Sequence, residues 1–243
     1  MLIPLPDRFD ADRFVIKTNP SKINKKNSRA GNNYHIGACL KAHKEPEYDL
    51  TNLLSCGCSN HNLNRAHRQS SDAGKNTVMG KIGEPETTDL VDAVRWLKAQ
   101  PWVDGQRVGV WGWSHGGFMT LSLMTRSTEF KAGISVAPVT DWRYYDTKWA
   151  EAFLKTPAEN PEGYDRTSLV KRAGDLHGRL LLVYGSYDDN VHPQNEQAFI
   201  DTLIKSGKLF DLMVYPMRKH GIEDRAATIH LYRTMLEFWK RNL

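Results

Sequence analysis

A serine set between glycines is the residue of this chain whose surroundings most clearly predict chemistry. The stretch Gly112–Gly117 (GWSHGG) fits the G-x-S-x-G pattern, after a short β-branched run and before a helical pattern. In a sharp strand-to-helix turn the serine is strained, and glycines on either side avoid clashes. The pattern predicts that Ser114 is a nucleophile and that the backbone N–H of His115 stabilises an oxyanion. The alternative is a plain glycine turn.

A nucleophilic serine requires a base, and the base requires an acid that orients it. Residues 184–191 (YGSYDDNV) contain Asp188 and Asp189, and residues 215–221 (YPMRKHG) contain His220. Each of these stretches follows a predicted strand, so both open at the sheet edge where Ser114 emerges. Serine, acid and histidine in this chain order are typical of α/β hydrolases. Spacing alone leaves the choice between the two aspartates open, and a turn acid and a surface histidine are the alternative interpretations.

Strands and helices alternate after residue 80, and they must position these side chains. The sequence predicts strands at 107–111, 131–137, 179–184 and 210–215. It predicts helices at 90–97, 119–125, 199–204 and 229–239, the last on the pattern of Ile229, Tyr232, Leu236 and Trp239. Strands that are apolar on both faces indicate a mostly parallel, doubly wound sheet with helices on both sides.

The first third of the chain has a different composition. Residues 1–80 contain 12 Lys/Arg and 7 Asp/Glu and so hold the whole formal charge of +5, whereas residues 81–243 are neutral. All seven Trp lie after residue 80 and all three Cys before it. Residues 17–76 show neither strand alternation nor a helical period. We therefore predict an atypical basic, Asn-rich, irregular segment over 1–79 and an α/β domain over 80–243.

Two features of the first third have residue types that suit other functions. Cysteine and histidine at Cys56, Cys58, His61 and His67 are zinc-ligand types, but their spacing matches no common structural zinc pattern, and reduced thiols are favoured. The basic run at 17–29 contains no aromatic residue on which a base would stack, which favours a solvated arm over a nucleic-acid site. We expect neither a metal nor a nucleic-acid partner.

Length and hydropathy exclude further classes of protein. With 243 residues, 40% apolar and 25% charged, the chain has enough apolar side chains for a packed core, which excludes wholesale disorder. No run of about 18 apolar residues is present, so no membrane span is expected. Residues 1–6 (MLIPLP) have neither the basic nor the apolar region of a signal peptide.

Seven stretches after residue 80 form a combination that is specific to one family. They are 83–86 (GEPE), 100–104 (QPWVD), 112–117 (GWSHGG), 136–142 (VAPVTDW), 160–164 (NPEGY), 188–192 (DDNVH) and 219–222 (KHGI). Through them the chain from about Val78 to Leu243 resembles the catalytic domain of the prolyl oligopeptidase family, in its dipeptidyl peptidase IV branch. The resemblance implies an α/β-hydrolase fold and a triad of Ser114, Asp188 and His220, with Asp188 preferred over Asp189.

The resemblance also implies a small apolar slot for the proline or alanine that precedes the scissile bond. A flat proline ring gains from aromatic walls and brings no polar side-chain group. Asn190 matches a position that binds the substrate carbonyl, and relatives usually carry Tyr where His115 and Trp149 stand. The slot positions are Val139, Trp142, Tyr145, Trp149 and Val191.

The implied function is that of a serine peptidase working through an acyl-enzyme on peptide substrates, with no metal and no organic cofactor. Between residues 17 and 76 the family's apolar strands and tyrosine-bearing glycine loop are not recognisable. The N-terminal strands are therefore expected to be missing or disrupted, with an unpaired sheet edge. A non-catalytic fragment or interaction module that retains the triad residues, and a general esterase, are the alternatives. By resemblance alone the protein is periplasmic or secreted, and homodimerisation through this domain is open.

Overall fold

A single six-stranded sheet organises the structure, a computed structural model that describes residues 34–42, 52–58, 78–101 and 103–243, the first two ranges as backbone only. The strand order is β2-β1-β3-β4-β5-β6, with β3 to β6 parallel and β1 antiparallel to both of its neighbours. The bounds are β1 Tyr34–Ala42, β2 Asn52–Cys58, β3 Val103–Trp113, β4 Ala132–Val136, β5 Arg179–Gly185 and β6 Asp211–Tyr215.

Helices connect the parallel strands and cover both faces of the sheet. They are α1 Glu84–Lys98, α2 His115–Arg126, α3 Thr147–Leu154, α4 Pro161–Thr167, α5 Gln194–Lys205 and α6 Arg225–Asn242, with 3₁₀ turns at Trp142–Tyr144 and Val170–Asp175. One buried cluster holds side chains of α1, α2 and α5, and the other lies beneath α6. The α/β-hydrolase fold and its mostly parallel, doubly wound sheet are thus confirmed for this part of the chain.

The expectation of irregular structure over 17–76 is wrong at two places. Strands β1 and β2 form an antiparallel pair, and β1 continues onto β3 through pairs such as Ile36 with Gly112 and Leu40 with Val108. The open edge expected beside β3 is therefore occupied. An exposed strand edge presents unpaired N–H and C=O groups, and backbone pairing satisfies them with little regard to side-chain pattern, which is why periodicity did not reveal these strands.

The buried face of α6 differs from the one that the sequence pattern indicates. The helix is confirmed, but Ile229, Tyr232 and Leu236 are exposed. The side chains that face the sheet are Leu231, Met235, Phe238 and Trp239. Two apolar stripes run along this helix, and local spacing cannot tell which of them the sheet covers.

Several sequence expectations lie outside the described residues. These include the basic run at 17–29, His61 and His67, and the side chains of Cys56 and Cys58. The boundary between a segment 1–79 and a domain 80–243 remains a prediction. Among the helices that the structure describes, none combines the length and apolar character needed to cross a membrane.

Candidate active site

The serine turn is strained in the way that the sequence predicts. Ser114 has φ 59° and ψ −120°, and it joins the end of β3 to the start of α2. A Cβ on Gly112 would lie 2.1 Å from the carbonyl oxygen of Gly116, so no larger residue fits there. The backbone N–H of Ser114 donates to Val136 O at 2.8 Å and ties the turn to β4. A non-glycine residue at positive φ persists only where its surroundings enforce it, which is typical of functional positions.

The first turn of α2 begins directly at the serine. His115 is the first residue of this helix, so its backbone N–H lies at the positive end of the helix dipole. A negative charge that develops beside Ser114 is stabilised at this position. This position suits an oxyanion donor, and the role that the sequence predicts for this N–H stays a prediction.

The structure distinguishes the two aspartates after β5. Asp188 is 3% exposed, and its Oδ1 accepts the backbone N–H groups of Asn190 at 3.0 Å and Val191 at 2.9 Å. Its Oδ2 lies 2.7 Å from Nδ1 of His220. Asp189 instead points outward and forms an exposed ion pair with Lys219 at 2.5 Å. The carboxylate in place to orient an imidazole is that of Asp188.

The loop of the acid and the loop of the histidine are joined along their length. Tyr187 N–H donates to Arg218 O at 2.9 Å, and Met217 N–H donates to the hydroxyl of Ser186 at 2.9 Å. The approach is so close that a Cβ on Gly185 would lie 2.2 Å from Arg218 O. The pair Asp188–His220 is therefore set by a backbone framework as well as by its own hydrogen bond.

The serine hydroxyl has no hydrogen bond to any other residue that the structure describes. What joins its turn to the histidine loop is the neighbouring indole, because Trp113 Nε1 donates to the backbone carbonyl of His220 at 2.9 Å. Serine–histidine hydrogen bonds are often long in unliganded enzymes and shorten when substrate binds. Sequence reasoning missed this contact, although a bulky aromatic beside the serine was visible.

The predicted slot residues come together beside the serine turn. Trp142 and Trp149 stack with ring centroids 4.7 Å apart, and Tyr145 meets both of them edge-on. The Tyr145 hydroxyl donates to Oδ1 of Asn190 at 3.0 Å. Val139 and Val191 are buried among these side chains. The result is an aromatic wall with one polar amide at its rim.

The His115 ring is part of the same aromatic group. Its centroid lies 5.7 Å from those of Trp142 and Trp149 and 5.6 Å from that of Phe118. Burial lowers the pKa of His115 to about 4, because an apolar setting disfavours the charged ring. The side chain is therefore neutral at pH 7, and it contributes an uncharged surface to the group.

Behind the acid lies a glutamate that sequence reasoning missed. Glu196 is fully buried in the first turn of α5, and neither carboxylate oxygen has a hydrogen-bond partner among the described residues. Burial, with a further contribution from the charge of Asp188, raises the pKa of Glu196 to about 9. An acid in the first turn of a helix is typical of an exposed residue that interacts with the helix dipole, so its burial could not be predicted from the sequence.

Asn195, the neighbour of this glutamate, connects two walls of the site. Its Oδ1 accepts Thr140 N–H at 2.9 Å, and its Nδ2 donates to Tyr144 O at 3.3 Å and to His192 O at 3.1 Å. The slot loop around Trp142 and the loop that carries Asn190 are thereby held together. Within the described residues, no group of three or more His, Cys, Asp or Glu has a geometry suited to a metal ion.

The fold and this site define an α/β hydrolase with a serine at the strand-to-helix turn. The sequence model of the prolyl oligopeptidase family matches residues 67–243, and the chain belongs to that family.

Similar proteins are dipeptidyl peptidases. Venom dipeptidyl peptidase 4 from Vespula vulgaris is 38% identical over 181 residues, which are 71% of this chain and 23% of the relative. The protein of the same name from Vespa velutina is also 38% identical over 181 residues. The crystal structure of Porphyromonas gingivalis dipeptidyl peptidase 4 superposes with a TM-score of 0.69 at 41% identity and covers 71% of this chain and 25% of that one. The chain thus spans about a quarter of the length of these relatives.

Proposed function

We propose that this chain carries the catalytic domain of a serine peptidase that forms an acyl-enzyme at Ser114. The observation that carries the proposal is the 2.7 Å contact between His220 Nδ1 and Asp188 Oδ2, at the sheet edge where the strained serine also emerges. His220 takes the proton of the serine hydroxyl, and the oxygen attacks the peptide carbonyl. The backbone N–H of His115 receives the negative charge on the carbonyl oxygen.

The second half of the reaction uses the same groups. His220 gives its proton to the leaving amine, and a water deprotonated by His220 then hydrolyses the acyl-enzyme. Asp188 holds the imidazole in the tautomer that presents Nε2 to the serine and stabilises the imidazolium that forms. No step requires a group other than these side chains, the N–H of His115 and water.

Cleavage after proline or alanine is the substrate preference that we propose. It is supported by the aromatic cluster beside the serine turn, in which Tyr145 and Trp149 are partly exposed and Trp142 and Val191 are buried, because an apolar cluster suits a side chain without polar groups. Asn190, whose amide is oriented by Tyr145, is the group proposed to bind the substrate carbonyl. Release of dipeptides is the activity named in the relatives, and it is proposed here on their similarity alone.

The proposal also includes a location outside the cytoplasm and the formation of a homodimer. The name of the Vespula vulgaris relative places it in venom, a secreted fluid, which supports a location outside the cytoplasm. The exposed stripe of Ile229, Tyr232 and Leu236 on α6 is an apolar surface that a homodimer would cover. Sedimentation of the chain, compared with a Tyr232→Lys variant, measures that association.

A fluorophosphonate probe tests the peptidase proposal. We expect covalent labelling of the wild type and of a Ser127→Ala control, and no labelling of Ser114→Ala. Labelling that persists in Ser114→Ala would overturn the assignment of the nucleophile. A folded wild type that takes no label would instead support the non-catalytic fragment, an alternative favoured by a serine hydroxyl without a hydrogen bond to the described residues.

Substrate choice separates the peptidase from a general esterase. An X-Pro amide, an X-Ala amide, an X-Leu amide and a short acyl ester are compared by kcat/KM. We expect the proline and alanine amides to exceed the leucine amide in kcat/KM, because the slot that the family resemblance implies is small. Hydrolysis of the ester without hydrolysis of any amide would support the esterase.

A further inference from the structure

The indole of Trp113 contacts the histidine of the proposed triad from a side that the mechanism does not use. Trp113 is the last residue of β3 and immediately precedes Ser114, and its Nε1 donates to the backbone carbonyl of His220 at 2.9 Å. The two residues lie 107 positions apart in the chain. A single side chain therefore connects the serine turn directly to the histidine loop.

Other indoles of the chain show that a buried indole N–H does not always find a hydrogen-bond partner, so the bond from Trp113 to His220 is not explained by burial alone. Nε1 of Trp111, of Trp142 and of Trp239 is buried without a hydrogen-bond partner among residues 78–101 and 103–243. The fold thus tolerates a buried indole N–H that lacks a partner, although the loss of its hydrogen bond to water lowers the free energy of unfolding. Trp113 differs because its strand end places it against the carbonyl of the histidine.

His220 is held at two points with different consequences. Asp188 fixes the ring at Nδ1, which sets the rotation of the imidazole. Trp113 fixes the backbone carbonyl, which sets where the residue lies relative to the serine turn. The ring nitrogen Nε2 is the atom that must reach the Ser114 hydroxyl, and a misplacement of about 1 Å in such a pair can cost about 10²-fold in rate.

We propose that Trp113 is a positioning residue, whose indole N–H fixes the backbone of His220 and thereby sets the distance from Nε2 to the Ser114 hydroxyl. This inference rests on the proposed peptidase function. Trp113 does not touch the reacting atoms in this role. It holds the serine turn after β3 and the histidine loop after β6 at a constant distance from each other during proton transfer.

Trp113→Phe and Trp111→Phe form a matched pair for the test. Both tryptophans lie on β3, two residues apart and therefore on the same face, and both pack into the cluster beneath α6. The substitution is identical, but of the two indoles only that of Trp113 donates a hydrogen bond to His220. With an X-Pro amide we expect Trp113→Phe to lower kcat about tenfold with KM within about twofold, the loss of one buried hydrogen bond. Trp111→Phe should keep kcat per folded molecule.

A second measurement does not depend on turnover. We expect the proton between His220 Nδ1 and Asp188 to give a far-downfield NMR signal. The absence of that signal in His220→Gln would assign it. We expect Trp113→Phe to shift or broaden this signal and Trp111→Phe to leave it in place.

The outcomes separate the two proposals. If both variants have the same kcat and the same downfield signal as the wild type, the positioning role is wrong, even where the peptidase is active. If the wild type hydrolyses nothing, the peptidase proposal fails. The downfield signal then still decides whether Trp113 positions His220.

Discussion

The buried amide of Asn195 holds the backbone of Thr140 across 55 residues of sequence. Asn195 Oδ1 accepts Thr140 N–H at 2.9 Å, and the Thr140 hydroxyl donates to Asn195 O at 2.7 Å. This reciprocal pair joins the start of α5 to the loop that leads into Trp142. The aromatic wall of the slot is therefore fixed from beneath by a side chain that does not line it.

Replacing Asn195 with aspartate is expected to weaken substrate binding more than chemistry. A carboxylate cannot donate to Tyr144 O or to His192 O, so the slot loop and the loop that carries Asn190 each lose one hydrogen bond and are no longer joined through this side chain. We expect KM for an X-Pro amide to rise about tenfold, while fluorophosphonate labelling per folded molecule is little changed. Steady-state kinetics and a labelling time course measure the two effects.

Asn160→Asp is the matched control for that variant. Asn160 also accepts one backbone N–H, from Gly163, and also donates to two carbonyls, those of Gly80 and Leu154, but at the start of α4. Both variants should lose stability, and only Asn195→Asp should change KM. Equal KM values in the two variants would show that Asn195 supports the fold without shaping the slot.

The two neighbouring aspartates should respond very differently to the same change. Asp188→Asn keeps the size of the side chain but cannot hold the imidazole in the required tautomer, so we expect kcat/KM to fall about 10⁴-fold. Asp189→Asn breaks an exposed ion pair with Lys219, a contact worth at most about 1 kcal/mol, and should leave kcat/KM within about twofold. Rates with an X-Pro amide compare them, and a severe loss in Asp189→Asn would contradict the geometry.

Glu196 should make the free energy of unfolding fall as pH rises. Its pKa is raised to about 9 in the folded state from an ordinary 4.5, so between these values the folded protein keeps a proton that the unfolded chain has released. The contribution of Glu196 to the free energy of unfolding is fully present below about pH 4.5. It declines by up to about 1.4 kcal/mol per pH unit until about pH 9.

Glu196→Gln removes this dependence because the amide does not ionise. We expect the variant to match the wild type near pH 4 and to exceed its unfolding free energy by about 2–5 kcal/mol at pH 8. Denaturant unfolding at several pH values measures the difference, with Glu162→Gln, an exposed glutamate, as the control. A difference that does not grow with pH would mean that Glu196 is ionised in the folded protein.

His115 should make the free energy of unfolding fall as pH decreases, the opposite direction to Glu196. Its pKa is lowered to about 4 from 6.5, so below pH 6.5 the unfolded chain takes up a proton that the folded protein refuses. The contribution of His115 to the free energy of unfolding is fully present above pH 6.5 and declines as pH falls towards 4. His115→Tyr keeps the backbone N–H and removes the titrating ring.

We therefore expect the advantage of His115→Tyr over the wild type to be about 2–3 kcal/mol larger at pH 4.5 than at pH 7.5. Melting and denaturant curves at the two pH values measure it, with the exposed His192→Gln as the control. An advantage that is the same at both pH values would show that the ring is accessible to protons in the folded state.

The candidate site residues could be predicted from the sequence because their signals are local. The glycines around Ser114 and the short loops after β5 and β6 depend on backbone geometry that neighbouring residues decide. The alternation of apolar strand segments with helical segments likewise predicted the four parallel strands and their helices. Strands that are buried on both faces are apolar along their whole length. The preference for Asp188 over Asp189 came from the family resemblance, and spacing alone did not supply it.

Tertiary structure alone decided what depends on partners distant in sequence. Strand β1 forms on the edge of β3 because unpaired backbone groups there accept any strand that fits, and no side-chain pattern records this. The sheet selects Leu231 and Met235 over Ile229 and Tyr232 as the inner face of α6. The contact of Trp113 with His220, the clasp of Asn195 on Thr140 and the burial of Glu196 arise where loops from different strands meet, and each requires the packed fold.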